Sequence, residues 1–171
     1  MIVINLFGEP GAGKSTGAAY IYSQLKMHGI NVELVTECAK DKVWEGNETA
    51  LKNQVYIFGE QFLRMSRCED KVDVIVTDSP LPLSIIYNKD RRLTNNFEKT
   101  VMDVFNSYNN VNILVVRDKP YNKTGRLENE QEACNLKSDI EKMLQDKNIT
   151  YSSISGNIHG YQAVVKAILK R

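Results

Sequence analysis

The chain has 171 residues, of which 42% are hydrophobic and 25% are charged, and this length and composition predict a single globular domain with an ordinary core. With 22 basic and 21 acidic residues the net charge is +1, which argues against an overall basic field for nucleic acid or membranes, although a local basic patch would fit. We expect a cytoplasmic protein with no membrane partner, because no leader-like start or spanning apolar run occurs and the three cysteines lack zinc-site spacing.

The first apolar run, Ile2–Phe7, predicts a strand that leads directly into a glycine-rich loop. Residues 8–15 match the pattern G-x-x-x-x-G-K-[ST] of phosphate-binding loops, and a helix is predicted over 14–28. Glycines let backbone N–H groups turn toward a di- or triphosphate, the lysine reaches the β and γ phosphates, and the serine hydroxyl binds Mg²⁺. The residues expected to hold ATP, or GTP, with Mg²⁺ are Gly8, Glu9, Pro10, Gly11, Ala12, Gly13, Lys14, Ser15 and Thr16.

Beyond this loop, short apolar runs alternate with helical patterns, which is typical of βαβ units and a parallel sheet. The other strands are predicted over 31–36, 72–77, 111–117 and 150–155, and the other helices over 48–69, 80–88, 95–109, 128–147 and 158–170. We therefore expect one α/β domain with five parallel strands between two layers of helices. Ligands of such sheets bind beyond the carboxyl ends of the strands, so the chemistry is expected at that edge.

Two carboxylates follow predicted strands at this edge, Glu37 after the second and Asp78 after the third. A carboxylate at Glu37 can deprotonate an acceptor hydroxyl, and phosphate-loop enzymes commonly hold Mg²⁺ with an aspartate placed like Asp78, here together with Ser15. Alternatively, Glu37 could be a carboxylate at the N-terminus of a helix, stabilised by the helix dipole, and Asp78 could cap a helix that begins near Pro80. The spacing leaves open which carboxylate is the base and which binds metal, and one could serve both.

Phosphoryl transfer also needs cations, and the planar fork of arginine suits phosphate oxygens. Arg117 ends the fourth predicted strand, and Arg126 lies in the polar loop before the long helix. Residues 118–127 are therefore predicted to form a small lid over the triphosphate, although a loop arginine can equally be a solvated charge. The catalytic candidates are Lys14, Glu37, Asp78, Arg117 and Arg126.

Acceptor recognition is expected on the predicted helix over 48–69, where amide, aromatic and cationic side chains recur at helical spacing. Such a stripe can hydrogen-bond the edge of a base and stack on its ring, but apolar positions at this spacing also fit a core. Tyr87 could add a stacking wall, and Arg91 with Arg92 could meet an anionic acceptor. The substrate-binding candidates are Glu37, Gln54, Phe58, Gln61, Arg64 and Tyr87.

In order along most of the chain, these motifs resemble those of the small P-loop kinases. The likeness rests on the phosphate loop, Thr36-Glu37-Cys38-Ala39-Lys40, the segment 54–61, Thr77-Asp78-Ser79-Pro80-Leu81, and Arg117 with Tyr121, Gly125 and Arg126. The chain is most similar to the nicotinamide riboside kinase domain of bacterial NAD biosynthesis and to phage-encoded, nucleotide-kinase-like AAA-type ATPases.

This resemblance implies the P-loop NTPase sheet order 2-3-1-4-5, ATP with Mg²⁺, and an acceptor hydroxyl near Glu37. It also implies that adenine lies between the lid and the loop after the last strand, where Gly156 and Asn157 occur.

The sequence therefore predicts an ATP-dependent kinase that transfers the γ-phosphate to a hydroxyl or phosphate of a small nucleoside- or nucleotide-like acceptor. One alternative is a kinase of a modified base, such as a hydroxymethylpyrimidine, in phage DNA, so nucleic acid stays open as an acceptor. The other is a nucleotide-dependent switch or assembly ATPase, with slow hydrolysis stimulated by a partner. A homodimer is compatible with the kinase interpretation, because small kinases often dimerise through a helix.

Overall fold

The structure is a computed structural model that describes residues 1–93, 95–122, 124 and 128–170. Within these residues one parallel sheet is formed by β1 (Ile2–Phe7), β2 (Val32–Val35), β3 (Val74–Thr77), β4 (Asn109–Val116) and β5 (Ser152–Ser155). The strands lie in the order β2-β3-β1-β4-β5, with Ile4 of β1 beside Val76 of β3 and Val111 of β4. The five predicted strands and their predicted order are confirmed.

The helices of the described chain are α1 (Lys14–Met27), α2 (Cys38–Trp44), α3 (Glu48–Lys52), α4 (Gln54–Ser66), α5 (Leu83–Tyr87), α6 (Asn95–Asn106), α7 (Glu130–Asp146) and α8 (Ile158–Leu169). None of these described helices is long and apolar enough to cross a membrane.

Alternate residues of the central strand β1 point into two separate cores. Ile4 and Leu6 pack with residues of α1 and α8 on one face of the sheet. Val3 and Phe7 pack on the other face, in clusters that include residues of α4, α6 and α7. Because side chains alternate between the faces of a strand, a strand buried on both sides is mostly apolar, as β1 is except for the buried Asn5, and the expected three-layer sandwich is confirmed.

The structure differs from the sequence prediction at three places. The predicted helix over 48–69 is two helices, because the Asn53 side chain accepts a hydrogen bond from the Tyr56 N–H at 3.1 Å and starts α4 there. Helix α2 was not predicted, since seven residues are too few for a clear helical period. Strand β4 begins at Asn109, inside the predicted helix over 95–109, because α6 ends at Asn106.

Candidate functional site

The loop between β1 and α1 has a backbone that favours glycine at three positions. Gly8, Gly11 and Gly13 have φ angles of 145°, 84° and 102°, which side chains rarely allow. A Cβ at Gly8 would lie 2.6 Å from the carbonyl oxygen of Val115. The first turn of α1 contains neither an acidic residue nor a capping side chain, so its backbone N–H groups are suited to a phosphate.

The turn after β5 supports the phosphate loop from behind. A Cβ on Gly156 would overlap the carbonyl oxygen of Ala12, and the hydroxyl of Tyr161 donates to the carbonyl oxygen of Gly13 at 3.0 Å. The side chain of Asn157 caps α8 and also donates to Asp118 after β4. Gly156 thus has a structural role behind the loop. Adenine binding by Gly156 and Asn157 stays a prediction.

Lys14 lies across the loop that precedes it. Its Nζ donates to the carbonyl oxygen of Gly8 at 2.8 Å and to that of Glu9 at 3.2 Å. Ser15 and Thr16 are exposed at the start of α1. The ammonium group and the serine hydroxyl therefore lie at the same end of the sheet as the backbone N–H groups of α1.

Glu37 and Asp78 lie next to each other at the ends of the adjacent strands β2 and β3. The backbone N–H of Glu37 donates to Oδ1 of Asp78 at 3.0 Å, and Asp78 is only 3% exposed. Glu37 occupies the N-cap position of α2, but its carboxylate makes no capping hydrogen bond. The N-cap of α5 is Pro82, so Asp78 does not cap that helix. Neither carboxylate is therefore accounted for by helix capping.

Burial and nearby charges shift the pKa of the Glu37 carboxylate. Burial raises the pKa of Glu37, the Lys14 ammonium lowers it, and the carboxylates of Asp78 and Glu128 raise it in turn. Burial also raises the pKa of Tyr87, and so do the charges of Glu128 and Glu37. The charges of Asp78, Glu128 and two lysines, Lys14 and Lys40, therefore act on Glu37, and Tyr87 is within reach of the same carboxylates.

Sequence reasoning missed Glu128, which precedes α7. One signal could have located it. The side chain of Asn129 accepts from the N–H of Glu132, while the Glu132 carboxylate accepts from the N–H of Asn129. This capping box is visible in the sequence as N-x-x-E and marks where the predicted lid returns to the domain, directly beside Glu128.

Arg117 is paired with two carboxylates. Its Nε lies 3.2 Å from Oε1 of Glu9 in the phosphate loop, and its Nη1 donates to Oε1 of Glu130 in α7 at 3.0 Å. Its guanidinium lies over the ring of Tyr121, 5.4 Å from the centroid. The other predicted arginine, Arg126, lies outside the described residues, as do positions 123, 125 and 127 of the predicted lid.

The predicted acceptor residues on α4 have partners within the fold. Gln61 is 2% exposed, and its Oε1 accepts from the backbone N–H of Cys38 at 3.0 Å. Gln54 is buried and donates to the carbonyl oxygen of Leu51 at 3.0 Å. Gln61 therefore anchors the first residue of α2, directly after Glu37.

Phe58 and Arg64 also contact other parts of the protein. Phe58 packs in the core, stacked on Phe62 with ring centroids 6.1 Å apart. Arg64 forms ion pairs with Asp41 at 2.7 Å and with Glu60 at 3.2 Å. Acceptor binding by these α4 residues stays a prediction, whereas Tyr87 is the candidate that lies within electrostatic reach of Glu37.

Comparison with known protein families finds a match over residues 3–160 to a family model described as an AAA domain. No curated protein matches the chain.

Proposed function

The chain belongs to the AAA domain family of P-loop nucleotide-binding proteins, and from this membership we propose that it is an ATP-dependent kinase acting on a hydroxyl of a nucleoside- or nucleotide-like acceptor. The observation that most supports transfer is the position of Glu37. Its carboxylate interacts electrostatically with the phosphate-loop lysine, Lys14, and takes no part in capping α2. A carboxylate in that position is available to an incoming hydroxyl.

On the donor side, Lys14 and the backbone N–H groups of the loop would bind the β and γ phosphates. Ser15 and Asp78 provide a hydroxyl and a carboxylate, which are the hard oxygen ligands that Mg²⁺ prefers. When bound, this ion would neutralise charge on the phosphates. Arg117 is the cation proposed for charge that develops on the transferred group.

On the acceptor side, Glu37 would act as general base. As the acceptor oxygen forms its bond to the γ-phosphorus, the hydroxyl proton passes to the Glu37 carboxylate and the bond to the β,γ-bridging oxygen breaks, releasing ADP. Burial raises the pKa of Glu37, which brings it closer to the operating pH and makes it a better proton acceptor.

The charge around Glu37 favours a hydroxyl over a phosphate as the accepting group. Asp78 and Glu128 both add negative charge there, and Lys14 and Lys40 are the cations that oppose it. An acceptor phosphate would have to approach three carboxylates, while Lys14 would already be engaged by the donor. A neutral hydroxyl meets no such repulsion.

The experiment is a transfer screen with labelled ATP and Mg²⁺ against nucleosides, nucleoside monophosphates, nicotinamide riboside and short oligonucleotides that contain hydroxymethylpyrimidines. We expect a labelled product from a hydroxyl-bearing acceptor, lost in Lys14→Ala and Glu37→Gln. Glu33→Gln is the matched control, because it removes a carboxylate from the middle of β2 rather than from its end. Full transfer by Glu37→Gln would contradict the proposal.

A second candidate function is nucleotide hydrolysis by an AAA-type ATPase, which the family match favours. In that case, water would be the only acceptor in the screen, and release of inorganic phosphate would increase with a partner protein. The two functions are separated by the labelled product, which is a phosphorylated acceptor for a kinase and inorganic phosphate for an ATPase.

A further inference from the structure

Arg117 connects the phosphate loop with the first turns of α7. One nitrogen, Nε, lies 3.2 Å from Oε1 of Glu9 in the phosphate loop. The other two face α7, where Nη1 donates to Glu130 at 3.0 Å and Nη2 lies 3.5 Å from Sγ of Cys134, one turn further along. The guanidinium thus bridges the loop and the helix that follows the predicted lid.

The two carboxylates of this bridge differ in exposure. The side chain of Glu9 is 5% exposed, whereas that of Glu130 is 64% exposed. Oε2 of Glu9 is buried and has no hydrogen-bond partner among the described residues. A buried carboxylate is costly to leave without a cation, whereas an exposed ion pair contributes little. The contact with Glu9 is therefore the persistent one, and the contact with Glu130 is easily exchanged.

The shape of arginine allows one contact to stay while the other changes. Its donors lie on three nitrogens at fixed angles, so Nε can remain on Glu9 while the Nη groups turn to another acceptor. Tyr121 contacts the guanidinium through its ring face, and this contact does not use the N–H donors. A terminal phosphate carries more negative charge than a carboxylate and has three acceptor oxygens, so it can replace one exposed carboxylate as the partner of these donors.

We propose that Glu9 is a positioning residue that holds Nε of Arg117 at the phosphate loop, while Glu130 holds the Nη groups on α7 until a γ-phosphate replaces it. This inference depends on the proposed function only in assigning Arg117 to the transferred phosphate. Glu130 competes with the γ-phosphate for the same donors. Arrival of ATP therefore releases the N-terminus of α7 from Arg117, and ADP, which has no γ-phosphate, does not.

The test measures binding of ATP and of ADP, each with Mg²⁺, to the full chain by calorimetry, without an acceptor. Arg117→Ala is expected to weaken ATP binding by about tenfold or more, because the γ-phosphate loses a charge-assisted hydrogen bond of that strength. ADP binding should change little. Glu9→Gln is expected to reduce the preference for ATP over ADP in the same way. Glu130→Gln is expected to tighten ATP binding by up to about fivefold, because it removes an exposed ion pair that competes with the γ-phosphate for Arg117. ADP binding should be unchanged.

Glu141→Gln is the matched control, because it makes the same charge change on α7 and its carboxylate is only in a 4.0 Å contact with Lys137. It should leave both affinities unchanged. A Glu130→Gln protein that binds ATP no better than wild type, or a folded Glu9→Gln protein with the wild-type ratio of ATP to ADP affinity, would overturn the inference. If Glu9→Gln does not fold, Glu130→Gln still decides the exchange.

The same experiment separates this inference from the proposed function. If every acceptor in the transfer screen fails while the nucleotide affinities change as expected, the kinase proposal is wrong and the roles of Glu9 and Glu130 stand. If phosphate is transferred but the affinities do not change, the kinase proposal stands and the exchange at Arg117 is wrong.

Discussion

Replacing Glu37 with glutamine should lower catalysis and raise stability in the same protein. The substitution keeps the size of the side chain and removes its ability to accept a proton. Loss of a general base typically lowers kcat by about 10²- to 10⁴-fold, which corresponds to a barrier increase of about 3 to 5 kcal/mol. No capping interaction is lost with it, because the carboxylate makes no hydrogen bond to the N-terminus of α2.

The rise in stability follows from the pKa of Glu37. Burial and the nearby carboxylates raise this pKa in the folded protein, so ionised Glu37 destabilises the fold at neutral pH. Below the unfolded-state pKa of Glu37 the side chain is protonated and the wild type keeps its full stability. This stability is lost as the pH rises through the folded-state pKa of Glu37, because the side chain then ionises in the folded protein. Glutamine cannot ionise, so Glu37→Gln should unfold at a higher temperature than wild type at pH 7, and the difference should shrink under acidic conditions.

Two measurements check this prediction. Transfer kinetics should show wild-type kcat falling as the pH drops through the raised pKa of Glu37, and this limb should be absent from the residual activity of Glu37→Gln. Calorimetric or dichroism melts at pH 7 and pH 4 should show the stability difference, with Glu33→Gln as the reference. A variant with reduced activity that is also less stable at pH 7 would refute the assignment, since it would indicate a damaged fold instead of a lost base.

Three further changes test how the site is supported. Tyr161→Phe removes the hydrogen bond to the Gly13 carbonyl oxygen at 3.0 Å, so we expect thermal unfolding to show a loss of about 0.5 to 1.5 kcal/mol and calorimetry to show weaker ATP binding. Gln61→Met leaves the buried N–H of Cys38 without its acceptor, which should cost about 1 to 3 kcal/mol in denaturant unfolding and lower kcat by displacing Glu37, the proposed general base. Asn53→Ala removes the cap of α4 and should cost about 0.5 to 2 kcal/mol in the same unfolding assay while leaving the KM for ATP unchanged.

The strand, glycine loop and helix that form the phosphate-loop motif could be predicted from the sequence because their signals are local. A strand, glycines that permit positive φ, a lysine and a serine occur within 15 residues, and backbone geometry requires those residue types in that order. The strand ends at Glu37 and Asp78 followed from the apolar runs before them. Strand order, in contrast, came from the resemblance, because a pattern along the chain does not state which strands are neighbours.

The partners of the predicted side chains could not be read in this way. Gln61 has the residue type of a base-binding amide, yet its oxygen is used by a backbone N–H 23 positions earlier. Glu9 was predicted only as part of the loop, although its buried carboxylate faces Arg117 from a distant part of the chain. Such pairings depend on tertiary contacts between residues far apart in sequence, which residue type and spacing do not specify.

The hydrogen bond between Tyr161 and Gly13 joins positions that are 148 residues apart. The phosphate-loop motif leaves the ribosome long before the turn and helix that support it, because these follow it far along the chain. A nascent chain that has emerged only to the end of β4 would therefore contain the whole motif without the supports at Gly156 and Tyr161. High-affinity nucleotide binding would then begin only after β5 and α8 have been made, and nucleotide would stabilise the folded domain rather than its early intermediates.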